Sequence, residues 1–242
     1  MKKIAIITGG SKGIGKALAE KYVSENYTVY SLSRSIVDIQ NVTQISVDLS
    51  DTKETTLAFK RLFANIDLQN VSSITLINNA GRLGKIANLE NLDSEDITKT
   101  ILLNITTPLI LSSLFINLTQ ELTCKKQIIN ISSGAAVNPY AGWSVYCTSK
   151  AAIDMLTRNI TEEQKEIENG VKCFGIRPGV VDTNMQTTIR STDPSDFKNL
   201  QKFIDLKENK QLFSTEYVAE TIFKLDTENR INSGNIIDIR DF

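Results

Sequence analysis

The chain has 242 residues, 41% of them apolar, which is enough to bury the core of one α/β domain. Its 27 Lys and Arg balance 28 Asp and Glu, and the charges are interspersed, so no footprint for nucleic acid is present. Histidine is absent, which excludes Ser-His-Asp hydrolysis, Cys-His chemistry and histidine-held metals; no metal is expected.

Taken in order, residues 3–8 form a β-rich run ending in Thr8-Gly-Gly-Ser-Lys-Gly-Ile-Gly15. A helical pattern follows, with Ile14, Leu18, Tyr22 and Val23 on one face. Strand, glycine turn and helix are the context of a phosphate-binding loop. Gly9 permits the tight turn, Gly13 lets the backbone approach a pyrophosphate, and Gly15 seats the helix against the strand. Met1-Lys2-Lys3 has the charge of a signal-peptide start, but the apolar run at 4–7 is too short for one. Residues 28–33 are the next strand. A site for NAD usually places Asp or Glu at its end, yet here it runs into Ser33-Arg34, and no carboxylate appears before Asp38. Unless they are ordinary surface charges, Lys12 and Arg34 offer two cations to a 2′-phosphate, which makes NADP(H) the expected cofactor.

Residues 43–47 form a third strand, closed by Asp48-Leu49. An amphipathic helix over about 53–66 leads to an apolar strand at 74–77 that ends in Asn78-Asn79-Ala80-Gly81. Small and amide residues at a strand's carboxyl edge suit the close approach of a flat ligand. A long helix over about 94–122, expected to kink at Pro108, carries Asn104 on an otherwise apolar face. Asn104, Thr106, Thr107 and Pro108 break its apolar run, so no membrane span is expected. The fifth strand, 127–131, ends in Ser132-Ser133. A helix over 143–168, a strand at 171–176 and Arg177-Pro-Gly-Val-Val-Asp-Thr183 follow. Residues 184–212 read as a polar helical insertion interrupted at Asp193-Pro194, before a helix at 215–225 and a strand at 235–239. Strands alternating with helices predict a Rossmann-type doubly wound parallel sheet of about seven strands, with helices on both faces, in a single domain over 1–242. Three cysteines at wide spacings (Cys124, Cys147, Cys173) predict reduced thiols in a cytoplasmic protein.

The chemistry gathers at Ser133 and Tyr146-Cys-Thr-Ser-Lys150. One helical turn separates the tyrosine from the lysine, so phenol and ammonium share a face. A nearby cation is expected to pull the tyrosine pKa down from its usual ~10, making Tyr146 a proton donor to an oxygen that gains negative charge. Ser133, folded back beside it, supplies a second hydrogen bond to the same oxygen. Trp143 stands just before Tyr146, and the insertion from Met185 onward lies where ligands bind above the sheet. Together they predict an aromatic-walled cavity under a helical lid, 184–212.

Thr8-Gly-x-x-x-Gly-x-Gly15, Asp48, Asn78-Asn-Ala-Gly81, Asn104, Ser133, Tyr146-x-x-x-Lys150 and Pro178-Gly179 occur in the order and at the spacings of the short-chain dehydrogenase/reductase family. The chain resembles that family over essentially its whole length. Asn-Pro-Tyr-Ala-Gly-Trp-Ser-Val-Tyr146, Gly179-Val-Val-Asp-Thr-Asn-Met185-Gln and Ser233-Gly-Asn-Ile-Ile-Asp238 resemble its sepiapterin reductase and benzil reductase branch. Ile-Arg-Ser-Thr at 189–192 and the terminal Asp-Ile-Arg-Asp-Phe242 look more like benzil reductase. The resemblance implies an NADPH-dependent reduction of a small-molecule carbonyl. Ser133 would hold the carbonyl oxygen, Tyr146 would protonate it, Lys150 would also bond the nicotinamide ribose, and Asn104 would sustain a water relay to Lys150. Around the cofactor it implies Gly9, Ser11, Lys12, Gly13, Ile14, Gly15, Arg34, Asp48, Leu49, Asn79, Ala80 and Pro178, with Val181 and Thr183 at the carboxamide and Asn78 bracing the sheet. Ser133, Trp143, Met185 and Asp238 fall on the substrate side; Asp238 matches the aspartate with which sepiapterin reductases anchor a pterin. A homodimer through the helices carrying Asn104 and Tyr146 is also implied. The expected substrate is a bulky aromatic 1,2-diketone. A pterin reductase, a broad aldehyde or ketone reductase, and a non-catalytic NADP-binding sensor are the alternatives.

Overall fold

In strand β1 (Lys2–Thr8), Ile4 and Ile6 enter one core while Ala5 and Ile7 enter another, all at most 1% exposed. A strand apolar on both sides has to be covered on both sides, and the remaining elements do this. The computed structural model of the chain describes residues 1–228 and 231–241. Phe242, the end of the terminal resemblance, lies outside them.

After β1 come α1 (Gly13–Ser24), β2 (Thr28–Ser33), β3 (Val42–Ser46), α2 (Thr52–Asn65) and β4 (Val71–Asn78). Then follow α3 (Ser94–Ile101), α4 (Thr107–Thr119), β5 (Lys125–Ile131), α5 (Ser144–Gln164) and β6 (Lys172–Arg177). The chain ends with α6 (Asn184–Arg190), α7 (Leu200–Glu208), α8 (Thr215–Thr227) and β7 (Ile236–Asp238). The strands make one seven-stranded sheet in the order β3-β2-β1-β4-β5-β6-β7, every neighbouring pair parallel. The Rossmann-type single domain expected from the alternation is the one found. Helices α1 and α8 cover one face around Leu18, Tyr22, Val218 and Ile222, while α2, α4 and α5 cover the other around Phe59, Phe63, Leu111, Phe115 and Ile160. The order in which strands are added reverses between β1 and β4, and the crevice at their carboxyl ends is where such sheets bind ligands.

Most boundaries moved by a few residues, as frayed ends do. Three differences have physical causes. The kink expected at Pro108 is a widened π turn over Leu102–Thr106 just ahead of it, with Pro108 in the first turn of α4, where a missing N–H is tolerated. The polar residues in this stretch therefore do not end the helix. Ser94–Thr119 runs on, long and apolar enough by composition to cross a membrane, but its Leu111 and Phe115 are fully buried in the core beside the sheet. The insertion forms two short helices, α6 and α7, separated by turns around Asp193, whose carboxylate accepts from Ser195 N and Oγ at 2.8 and 2.6 Å. The helix expected to reach residue 168 stops at Gln164, with Asn169 at φ 55° and Gly170 packed on the Gln164 carbonyl.

Candidate active site

At the carboxyl edge of β1 the glycine loop is shaped as its sequence demands. Gly9 has φ +70° and Gly13 φ +55°, values an L side chain adopts only with strain. A Cβ on Gly15 would sit 2.3 Å from the Gly9 carbonyl, so α1 approaches β1 closely only because that position is glycine. No side chain caps the start of α1, which leaves its first-turn N–H groups facing the crevice for an anion. From β4, Asn79 Nδ2 donates to Thr8 O at 2.9 Å, and the N–H groups of Asn79 and Ala80 donate to Thr8 Oγ1, each at 3.0 Å. The loop is thereby clamped to the neighbouring strand. An uncapped helix start behind a glycine cradle fits the pyrophosphate of a nicotinamide dinucleotide.

Every candidate site residue named above except Asn104 and the sheet-bracing Asn78 lines one continuous cleft of about 1830 Å³. Lys12 and Arg34 flank its outer end with Ser33 and Ser35, and Asp48 and Leu49 close it from β3. Hydrogen bonds from Ser50 hold the Asp48 carboxyl below its ordinary pKa, with Arg34 and Lys99 adding to the effect. Past β6, Val181 is buried and bridges to Phe213, and the Thr183 methyl lies 3.4 Å from where a Gly13 side chain would begin.

The reaction centre lies between the end of β5 and the start of α5. Ser133 opens a short turn in which its Oγ accepts from Ala135 N at 3.1 Å, and its hydroxyl stands on the side of the Tyr146 phenol, whose pKa it lowers. Lys150 Nζ donates to Ile131 O at 2.8 Å and lies 5.7 Å from the centre of the Tyr146 ring. Burial pushes the Tyr146 pKa up to about 12, against the lowering effect of Ser133. Burial also brings Lys150 down to about 8, with Asp154 opposing. The expected depression of the tyrosine pKa by Lys150 is thus reversed here: desolvation outweighs it, and the ammonium is aimed at a carbonyl rather than at the phenol oxygen.

Asn104 sits outside the cleft. Its Oδ1 accepts from Arg82 N at 2.9 Å, and its Nδ2 donates to Arg82 O at 2.8 Å and to Ser149 Oγ at 3.0 Å. The amide therefore pins the loop after β4 to α5, and a relay of the kind the resemblance implies would fall to the backbone carbonyl. Pro108 has no N–H to give that carbonyl its α-helical bond.

Several residues of the site carry no motif in the sequence. Asp96 is ion-paired to Arg82 and accepts from Lys85 N at 2.8 Å, so it holds the same loop from α3. Asp154, one turn past Lys150, is bonded by Ser132 Oγ and by Arg177 Nη2 at 2.6 Å. Its spacing on α5 was the available signal. On the substrate side, Trp143 is stacked on Phe197 from the insertion, with Tyr140 and Phe203 packed around it and Met185 beside them. Asp238 is gripped by its near neighbour Arg240 through Nε at 2.8 Å and Nη2 at 2.5 Å, which depresses its pKa.

Residues 3–194 match the short chain dehydrogenase family. The chain belongs to that family. This short-chain dehydrogenase is 42% identical to a benzil reductase ((S)-benzoin forming) of Bacillus cereus, over 98% of this chain and 99% of that protein. It is 26% identical to a sepiapterin reductase of Xenopus tropicalis, over 98% of this chain and 96% of that one. Among solved structures it superposes on the KRED1-Pglu enzyme with a TM-score of 0.83 at 25% identity, covering 98% of this chain and 100% of the other. It is an oxidoreductase of the benzil and sepiapterin reductase branch, and its family binds a nicotinamide cofactor.

The buried lysine makes a pH prediction. In the unfolded chain Lys150 titrates near 10.5, and in the fold near 8. Between those values the unfolded state binds more protons, so stability contributed at this position is lowest below pH 8 and rises through the window. Denaturant unfolding of wild type and Lys150→Met should show the difference moving toward wild type by about 2 kcal/mol between pH 7.5 and pH 10. A difference independent of pH would mean that Lys150 is not desolvated.

Proposed function

We propose that the protein reduces one carbonyl of a bulky aromatic 1,2-diketone to the (S)-hydroxyketone with NADPH. What carries this reading is the aromatic wall of Tyr140, Trp143 and Phe203, backed by the buried Phe197, beside Ser133 and Tyr146, in a chain 42% identical to a benzil reductase. The nicotinamide cofactor, when bound, supplies the hydride. Ser133 holds the carbonyl oxygen, and Tyr146, a phenol at neutral pH, gives that oxygen its proton. Lys150, held by Ile131 O, presents its remaining donors to the cofactor ribose and to a proton relay from the Asn104 carbonyl. The helices of residues 184–212 close over the substrate as a lid.

A pterin reductase would need Asp238 as an anchor, and Arg240 already occupies that carboxylate. A non-catalytic sensor has no use for Asn104, Ser133, Tyr146 and Lys150 together. NADPH oxidation with benzil, sepiapterin, diacetyl and benzaldehyde decides among these. Benzil is expected to be the best substrate, Tyr146→Phe to lose at least ~10²-fold in kcat while binding NADPH normally, and Asp238→Ala to keep benzil reduction. No reduction of benzil by wild type would overturn the reading.

Choice of NADPH follows from Arg34 and Lys12 at the outer end of the cleft, with no carboxylate at the end of β2. Arg34→Asp removes a cation from the 2′-phosphate and offers an acceptor to a 2′-hydroxyl. It should raise the KM for NADPH by at least ~10-fold and improve NADH, since charge-assisted bonds of this kind are worth ~1.5–3 kcal/mol. Equal KM values for NADPH in wild type and mutant would refute the assignment.

Assembly belongs to the same reading. Phe115 and Ile153 are core residues, but Leu109 and Met155 stand about half exposed on α4 and α5, with Leu102, Leu103, Leu114 and Leu156 partly covered. A second copy pairing these helices across a two-fold axis would cover them. Light scattering at micromolar concentration should give a mass of at least twice the 26.9 kDa chain; a monomer mass would reject the pairing.

A further inference from the structure

Trp143 is the single tryptophan of the chain. Its ring lies parallel to Phe197 with centroids 4.7 Å apart and 13° between planes, and meets Tyr146 edge-on at 5.8 Å. Tyr140 and Phe203 pack against it at 4.9 and 5.3 Å. Inside this aromatic cluster the indole Nε1 is buried and has no hydrogen-bond partner. A buried indole N–H normally finds an acceptor, and one that has none is held at a cost a phenylalanine would avoid. The residue lines the reaction cleft one turn ahead of the proton donor.

The substrate class supplies the missing acceptor. Ser133 and Tyr146 take the oxygen that is reduced. A 1,2-diketone brings a second carbonyl oxygen on the adjacent carbon, which can only accept. Two cations on that side are already engaged: Arg240 with Asp238, and Lys202 with the Tyr140 hydroxyl oxygen at 3.3 Å and its ring face. We propose that the Trp143 indole N–H is the donor to the second, unreduced carbonyl oxygen, and that this bond sets the preference for 1,2-diketones over compounds with one carbonyl. The inference rests on the diketone reductase reading above. Phe197 and Phe203 belong to the insertion, whereas Trp143 is tied to α5 through its carbonyl, which accepts from Cys147 N at 2.8 Å. Outward movement of the roof would therefore bare the indole on the sides that Phe197 and Phe203 cover, without displacing it.

Trp143→Phe keeps a stacking ring and removes the N–H. With NADPH saturating, the ratio of kcat/KM for benzil to that for benzaldehyde should fall about tenfold, the worth of one neutral hydrogen bond, mostly through KM for benzil. An unchanged ratio, in a variant whose melting temperature and NADPH binding match wild type, would overturn the proposal. Should that variant not fold, wild type itself decides. Its single indole N–H resonance, observed on ¹⁵N-labelled enzyme saturated with NADP⁺, should move downfield with benzil and much less with benzaldehyde. Equal movement with both ligands would overturn it. So would a shift of this resonance in ligand-free Gln186→Leu, since Gln186 Oε1, also buried and unpartnered in the cleft, would then be the indole's acceptor. Wild type that reduces benzil with an unchanged ratio in Trp143→Phe sinks this inference alone. Wild type that does not reduce benzil sinks the functional reading and this one with it.

Discussion

A row of polar side chains crosses the apolar sheet and locks α5 in place. Asn78 Nδ2 donates to Asn130 Oδ1 at 2.9 Å and to Ser112 Oγ at 3.2 Å, and Asn130 Nδ2 donates to Thr157 Oγ1 at 2.9 Å. The row runs from α4 through β4 and β5 to α5, and each member is at most 5% exposed. A buried amide or hydroxyl without its partner is unfavourable by about 1–3 kcal/mol, so rotation or sliding of α5 that broke the row would be opposed. Thr157 lies two helical turns beyond Lys150, on the face that also carries Tyr146. Asn130 immediately precedes Ile131, whose carbonyl receives Lys150, and the Ser132-Ser133 pair follows. Fixing Asn130 against Thr157 therefore fixes serine, tyrosine and lysine against one another.

The second constraint is electrostatic. Lys150 keeps an ammonium in a dry place, and what makes this tolerable is the Ile131 dipole together with the Asp154 carboxylate one turn away. Asp154 is in turn fixed by Ser132 and by Arg177, from the strand ends on either side of the site. Desolvation drives Tyr146 and Lys150 toward their neutral forms, but with pKa values near 12 and 8 they remain phenol and ammonium at neutral pH. Those are the protonation states that donate a proton and hold a polar ligand. The arrangement needs no ionised tyrosine in the resting protein.

Local pattern carried most of the fold and the reaction centre. The glycine loop, the Asn78–Gly81 corner, Ser133 and the Tyr146–Lys150 turn are short motifs whose geometry follows from chain-local rules, and the cleft gathers them where a parallel sheet collects its carboxyl ends. Spacing did not tell how deeply the tyrosine and lysine are buried, so it misjudged the sign of the Tyr146 shift. Nor did it tell that Asn104 spends its amide on the Arg82 backbone, because that contact depends on how the π turn aims the side chain across a loop. Asp96, Arg177 and Arg240 were missed for a similar reason. Each acts through a partner whose charge is visible in the sequence but whose position is set by packing. Phe197 carries no motif within the polar insertion, and only the fold brings it onto Trp143.

That stacking joins two parts of the site, a floor and a roof. The floor is built on strand ends and α5 and is held by buried hydrogen bonds. The roof consists of α6 and α7, which between them bury only Gln186, Ile189, Leu200 and Phe203. Between these two helices the insertion adds the fully buried Phe197, so a small set of side chains fastens it to the rest of the fold. The roof is nevertheless shaped to seat in one place. Gly142, at φ +90°, lies so close to the insertion that a Cβ there would stand 2.7 Å from the Asp196 carbonyl. Any other residue at 142 would hold the roof off its seat and unstack Phe197 from Trp143. The glycine next to the tryptophan thus sets the depth at which the insertion seats on Trp143, while the hydrogen bonds that hold α5 against the strand ends are made without the insertion.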